Sequence, residues 1–197
     1  MIANHVSWLD SMVTSKYYEL AFTLKAEMRT FPLFGTLAKV VDSIFIPRGG
    51  SPEARAQIVK EIGERQEAIE TTGDYQTLLL FPEGTTTNGT ALLPFKKGAL
   101  VSERTLKPVV LKYDTNKSFS QAFDIIALVP LIVLNLSYCG LHCEVLDLPP
   151  FQPNEYLFET HRDKGDERWQ IIAWATQEII ADAGNLTQSD MHVKQKV

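Results

Sequence analysis

A histidine and an aspartate stand five positions apart in Asn4-His5-Val6-Ser7-Trp8-Leu9-Asp10. On a continuous helix that spacing rotates the two side chains about 140° apart, so they would not meet. In a turn leaving a strand they can. Asp10 then accepts from one imidazole nitrogen, fixes the tautomer and raises the basicity of His5, leaving the other nitrogen to work as a general base. A second segment, Phe81-Pro82-Glu83-Gly84-Thr85-Thr86, follows directly on the apolar run 77–81. A strand running into Pro-x-Gly makes a tight turn at the sheet's edge, where α/β proteins place ligands. There Glu83 can accept from ligand hydroxyls, and Gly84 permits close backbone approach. Each segment in isolation suits a plainer role equally well: a structural histidine held by a carboxylate, and an acid on a surface turn.

The charge pattern narrows the ligand. The chain of 197 residues carries a formal charge of −5, which argues against nucleic acid as the main partner. Between Gln76 and Lys112, however, five bases (Lys96, Lys97, Arg104, Lys107, Lys112) face only two acids, Glu83 and Glu103. A basic neighbourhood within an acidic protein suits a small anionic ligand or an anionic surface, though a solvated face produces the same pattern. With 45% hydrophobic and 22% charged residues the chain is neither collagenous, disordered nor a polytopic membrane protein. Its longest apolar run, Ile125–Leu134, is about half of the roughly 20 residues that spanning requires, so it is core or interfacial. Cys139 and Cys143 are the only cysteines. They suit a reducing compartment and read as small buried hydrophobes, and with His142 they lack the second ligand pair of a zinc site, so no metal is expected.

These segments need a scaffold. Ser11–Leu24 reads as a helix from the spacing of Met12, Val13, Tyr17 and Leu20, and Lys39–Pro47 as a strand. Ser51 reads as an N-cap with Pro52 at the first helical position, opening a helix to about Thr71 with Ile58, Ile62 and Ile69 on one face and Gly73 at its end. The runs 77–81, 108–113 and 143–148 read as strands. Asp166 to Ala183 reads as a closing helix, with Ile172, Ala175, Ile179, Ile180 and Ala183 inward. No repeat or linker divides the chain. The expectation is one α/β domain over residues 1–197, a mostly buried sheet flanked by helices. A motif within the first ten residues is further expected of a fragment that lacks an upstream membrane segment.

The motif Asn-His-x-Ser-x-x-Asp, then Phe45-Ile46-Pro47-Arg48, then Phe81–Thr86, then Lys107-Pro108-Val109-Val110 occur in an order that resembles the glycerophospholipid acyltransferase family. That family includes the 1-acylglycerol-3-phosphate and lysophospholipid acyltransferases, and the resemblance spans residues 2–190. The stretch 81–89 followed by Phe95-Lys96-Lys97-Gly98-Ala99, with Lys25-Ala26-Glu27 ahead of Phe34-Gly35, looks most like the lysophosphatidylcholine and lysophosphatidylethanolamine branch.

The resemblance implies a glycerol-3-phosphate acyltransferase-like fold, with His5 as general base and Asp10 as its orienter. It assigns Arg48, Glu83, Gly84, Thr85 and Thr86 to the acceptor's glycerol-phosphate site, Lys25 to a phosphate contact, and Pro108-Val109 to the acyl-donor side or to the fold. The co-substrate would be acyl-CoA, with no cofactor and no metal, and the nucleophile the acceptor's own hydroxyl. No Gly-x-Ser-x-Gly is therefore needed, and none is present. An oxyanion donor is expected among backbone N–H groups near the Gly84 turn. Relatives specific for lysophosphatidate commonly carry a base where this chain has Thr86, and a neutral hydroxyl fits a phosphodiester better, unless Lys96 or Lys97 takes over. The expected acceptor is lysophosphatidylcholine or lysophosphatidylethanolamine. The alternatives are a 1-acylglycerol-3-phosphate acyltransferase, a silent lipid-binding member, or a thioesterase. The expected partners are acyl-CoA, a lysophospholipid and a membrane surface, at the cytosolic side of the endoplasmic reticulum.

Overall fold

A computed structural model describes residues 1–32, 34–47, 49, 51–114, 126, 128–138 and 140–190. Its framework is a parallel sheet. Strand β1 (Ile2–Ala3) pairs with β6 (Pro108–Tyr113), and β2 (Leu20–Lys25) lies between β3 (Ile44–Ile46) and β4 (Thr77–Leu79), all in parallel. The two groups are stitched together where Leu80 continues β4. The Ala3 N–H donates to the Leu80 carbonyl (3.1 Å) and the Leu80 N–H to the Met1 carbonyl (3.0 Å). The resulting order is β3-β2-β4-β1-β6-β7, with β7 (Cys143–Asp147) antiparallel on β6. A small parallel pair, β5 (Ala91–Leu92) with β8 (Thr187–Gln188), stands apart.

Alternation along the strands buries the sheet on both faces. Ile2, Leu78, Leu80 and Val110 point to one side, into a cluster with Ile62 of α3 (Pro52–Thr71) and Ile172 and Ile180 of α6 (Arg168–Gly184). Ala3, Leu79, Val109 and Leu111 point to the other side, where Val13 of α1 (Asp10–Ser15) and Tyr18 cover them. Helix α3 starts as its sequence implies: the Ala54 N–H donates to Ser51 Oγ and Pro52 opens the first turn. The Ile58-Ile62-Ile69 face packs on the core. Among the described residues the other α-helices are α2 (Phe34–Val40), α4 (Leu128–Ser137) and α5 (Glu155–Thr160).

Two expectations fail. The stretch 11–24 is not one helix: α1 stops at Ser15, and residues from Leu20 onward form β2. The periodic apolar residues Leu20, Ala21 and Phe22 suit a helix face locally, but β2 gains ladders on both edges, and the sheet outweighs local spacing. Likewise 39–47 is not one strand. Helix α2 runs to Val40, Asp42 turns the chain in a left-handed conformation (φ 51°), and only Ile44–Ile46 extend. In α6, Ile179 faces solvent rather than the core, one position off the buried stripe that ends on Ile180.

Candidate active site

The parallel strands β1, β2, β4 and β6 all point their carboxyl ends to one edge, where ligands of α/β sheets usually bind. Asn4 and His5 follow β1 there, Lys25 ends β2, Pro82–Thr87 follow β4, and Tyr113 ends β6.

Between β1 and α1 the chain wraps around a fully buried Asp10. Its Oδ2 accepts from His5 Nδ1 (2.7 Å), the Val6 N–H (2.7 Å) and the Ser7 N–H (3.0 Å). Its Oδ1 accepts from the Tyr113 hydroxyl (2.7 Å). The turn thus brings together two residues that a helix would hold apart. With Nδ1 donating to Asp10, His5 Nε2 carries the lone pair, and no partner holds it among the described residues. The imidazole stacks on Phe81 (centroids 4.0 Å apart, planes at 14°) and stays 22% exposed. A base with a fixed tautomer and an open nitrogen is what proton abstraction requires.

The loop after β4 grips the backbone of that histidine. Glu83 is completely buried, and its Oε1 accepts from the His5 N–H (2.9 Å) while Oε2 accepts from the Leu93 N–H (3.0 Å). The Thr87 N–H donates to the His5 carbonyl (2.7 Å). On the other flank Asn4, 1% exposed, donates to the Leu111 carbonyl and accepts from the Leu111 N–H. Glu83 therefore presents no surface to ligand hydroxyls here; a carboxyl group with two buried backbone donors to satisfy is held inside.

Thr86 is buried too, at 6% exposure, so its hydroxyl does not stand open to a head group. Thr85 is half-buried, Gly84 exposed, and Lys25 exposed at the end of β2. Gly84 sits at φ 66°, and a Cβ there would collide with the ammonium end of Lys96. Lys96 thus lies against the turn, burial holds its pKa below the usual lysine value, and no carboxylate pairs with it among the described residues. Lys97 instead bonds Glu167 (2.7 Å). Arg48 and Cys139 lie outside the described residues. Cys143 is half-buried beside Tyr113, and burial pushes its thiol up to about 11, leaving it neutral at ordinary pH. Among the described residues no group of three His, Cys, Asp or Glu side chains could hold a metal ion.

Sequence reasoning missed Asn4, Phe81, Thr87 and Tyr113. Tyr113 had a signal: it is the last residue of a strand legible in the sequence, hence at the ligand edge. The other three act through backbone contacts or ring stacking, which spacing does not reveal.

Comparison with known proteins fits this architecture. Residues 1–112 match the Acyltransferase family. The chain is 30% identical to lysophospholipid acyltransferase LPEAT1 of Arabidopsis thaliana over 196 residues, covering 100% of this chain and 47% of that one. It is 32% identical to lysophosphatidylcholine acyltransferase 1 of Homo sapiens over 156 residues, covering 78% of this chain and 28% of that one. Among solved structures, the 1-acyl-sn-glycerophosphate (LPA) acyltransferase PlsC from Thermotoga maritima superposes with a TM-score of 0.59 at 16% identity, over 93% of this chain and 64% of that one, a likeness of fold. The sheet offers a histidine–carboxylate pair at its carboxyl edge, an arrangement suited to proton abstraction. The chain belongs to the acyltransferase family. It spans less than half the length of the two curated relatives.

Proposed function

We propose that this domain transfers a fatty acyl group from acyl-CoA to the free hydroxyl of a lysophospholipid. The observation that carries the reading is the 2.7 Å bond from His5 Nδ1 to a fully buried Asp10, with the imidazole 22% exposed and Nε2 without a partner among the described residues. Nε2 takes the proton of the acceptor hydroxyl as its oxygen attacks the thioester carbonyl carbon. The C–S bond then breaks, and the departing coenzyme A thiolate takes the proton back from the imidazolium. The acceptor phosphate lies against Lys96, with Lys25 further along the same edge; a partly desolvated ammonium with no carboxylate partner among the described residues is a ready anion contact. The relatives' names and the run of residues 81–99 favour lysophosphatidylcholine or lysophosphatidylethanolamine as acceptor. The intact pair speaks against a silent lipid-binding member.

The acceptor is a membrane lipid, and the chain offers an apolar surface to meet it. No helix among the described residues is long and apolar enough to cross a membrane. Helix α4, however, exposes Val129, Val133 and Leu136 while burying Leu131, and carries no charged residue. The connection that contains it leaves beside Tyr113 and returns beside Cys143, and the Asp114 N–H donates to the His142 carbonyl (3.0 Å). We place this face in the head-group region of an intracellular membrane, the endoplasmic reticulum, with the site on the cytosolic side.

The test is purified protein with radiolabelled acyl-CoA and a panel of lysolipids, run beside His5→Ala. Transfer should fall roughly 10²–10⁴-fold in the variant. Near-normal transfer by His5→Ala would sink the mechanism, and coenzyme A release without any lysolipid dependence would make the domain a thioesterase.

A further inference from the structure

The two oxygens of Asp10 are treated unequally. Oδ2 has three donors, whereas Oδ1 has one among the described residues, the Tyr113 hydroxyl at 2.7 Å. The carboxylate is fully buried, so water cannot take over if that donor goes. Burial first, and the nearby charge of Asp10 second, push the Tyr113 hydroxyl far above its ordinary pKa. It stays protonated at ordinary pH and so keeps a proton to donate.

Its position is measured out by the sheet. Asn4, one residue before the histidine, bonds both the N–H and the carbonyl of Leu111. Two residues on, Tyr113 points to the same face of β6 and packs in the same cluster as Leu111. The opposite edge of β6 is fixed by the ladder to β7, where Tyr113 faces Cys143. Strand β6 is therefore locked to the His5 turn and delivers a hydroxyl to the back of the carboxylate that orients His5.

We propose that Tyr113 is a positioning residue for the transfer reaction: it fixes the rotation of the Asp10 carboxylate so that Oδ2 stays on His5 Nδ1. The proposal rests on the reading of His5 as general base. Tyr113 acts through Asp10 and touches neither substrate.

Tyr113→Phe keeps the ring in place and deletes only the donor. The variant should lose about tenfold in kcat with KM for both substrates unchanged. In an Asp10→Asn background the same substitution should do nothing further, because its route runs through the carboxylate. In NMR spectra of the resting protein the downfield His5 Nδ1–H proton, bonded to the carboxylate, should move and broaden in Tyr113→Phe. An unchanged kcat together with an unchanged Nδ1–H signal would overturn the proposal. So would an equal loss in both backgrounds, the mark of a merely structural residue. If the unaltered protein transfers no acyl group, the proposed function falls, yet the Nδ1–H comparison still decides for or against Tyr113.

Discussion

Glu83→Gln removes one acceptor from a side chain that the structure shows wholly inside. Both carboxyl oxygens are engaged by backbone donors, His5 N–H at 2.9 Å and Leu93 N–H at 3.0 Å. An amide keeps one oxygen but turns an NH2 toward the second donor, so one buried N–H is left without an acceptor. That loss is about 1–3 kcal/mol. In a domain of this size each kcal/mol lowers the melting temperature by about 2–4 °C, so a drop of roughly 2–12 °C is expected. The donor that suffers can be His5 itself, and kcat should then fall with stability, because the base shifts against the acceptor. Thermal unfolding by circular dichroism, with steady-state kinetics on the same preparation, measures both. His5→Ala is the control: it should lose activity yet melt near the unaltered protein, since the imidazole is partly exposed and fills little core. If Glu83→Gln melts within a degree of the unaltered protein and only the acceptor KM rises, Glu83 faces the ligand and the bracing argument is wrong.

Three further outcomes are expected. Lys96→Met should raise the acceptor KM with little change in the melting temperature, as the loss of an ammonium that pairs with no carboxylate among the described residues; an unchanged KM would remove Lys96 from the phosphate contact. Thr86→Arg should lower the melting temperature without redirecting the enzyme to lysophosphatidate, because a guanidinium does not fit a position only 6% exposed; a stable variant with switched preference would show that the side chain reaches the head group. Liposome flotation should be lost when Val129, Val133 and Leu136 are all replaced by Ser, and should otherwise survive high salt; glycosylation of Asn88, which Asn88-Gly89-Thr90 makes an acceptor sequon, would contradict the cytosolic orientation in cells.

Much of the scaffold was legible because its signals are local. Ser51-Pro52 announces α3, and the apolar runs 78–81 and 108–111 announce strands buried on both faces. What was not legible depends on neighbours distant in sequence. Leu20–Lys25 become a strand because β3 and β4 pair with it from both sides. The His5–Asp10 pairing was legible as chemistry, since a turn is the only geometry that lets the two meet. The inward pull on Glu83 was not: its partners are the backbone N–H groups of His5 and Leu93, and backbone groups leave no mark on composition. The burial of Thr86 was not legible for a related reason, as a hydroxyl's direction on a loop is set by packing rather than by residue type.

The sheet order explains why so short a motif can hold a working geometry. Strand β1 has only two residues, yet it occupies the middle of the sheet, between β4 and β6. A central strand has a loop on either side at its carboxyl end, and here both loops reach in. From the β4 side Glu83 takes the His5 N–H, and Thr87 donates to its carbonyl. From the β6 side Asn4 is clamped to Leu111, and Tyr113 closes on Asp10. The imidazole and the carboxylate are thus positioned from opposite flanks, by segments about 80 and about 100 residues away along the chain. An edge strand could receive such support from one side only. The fold holds His5 by placing the first ten residues where two other parts of the chain must meet.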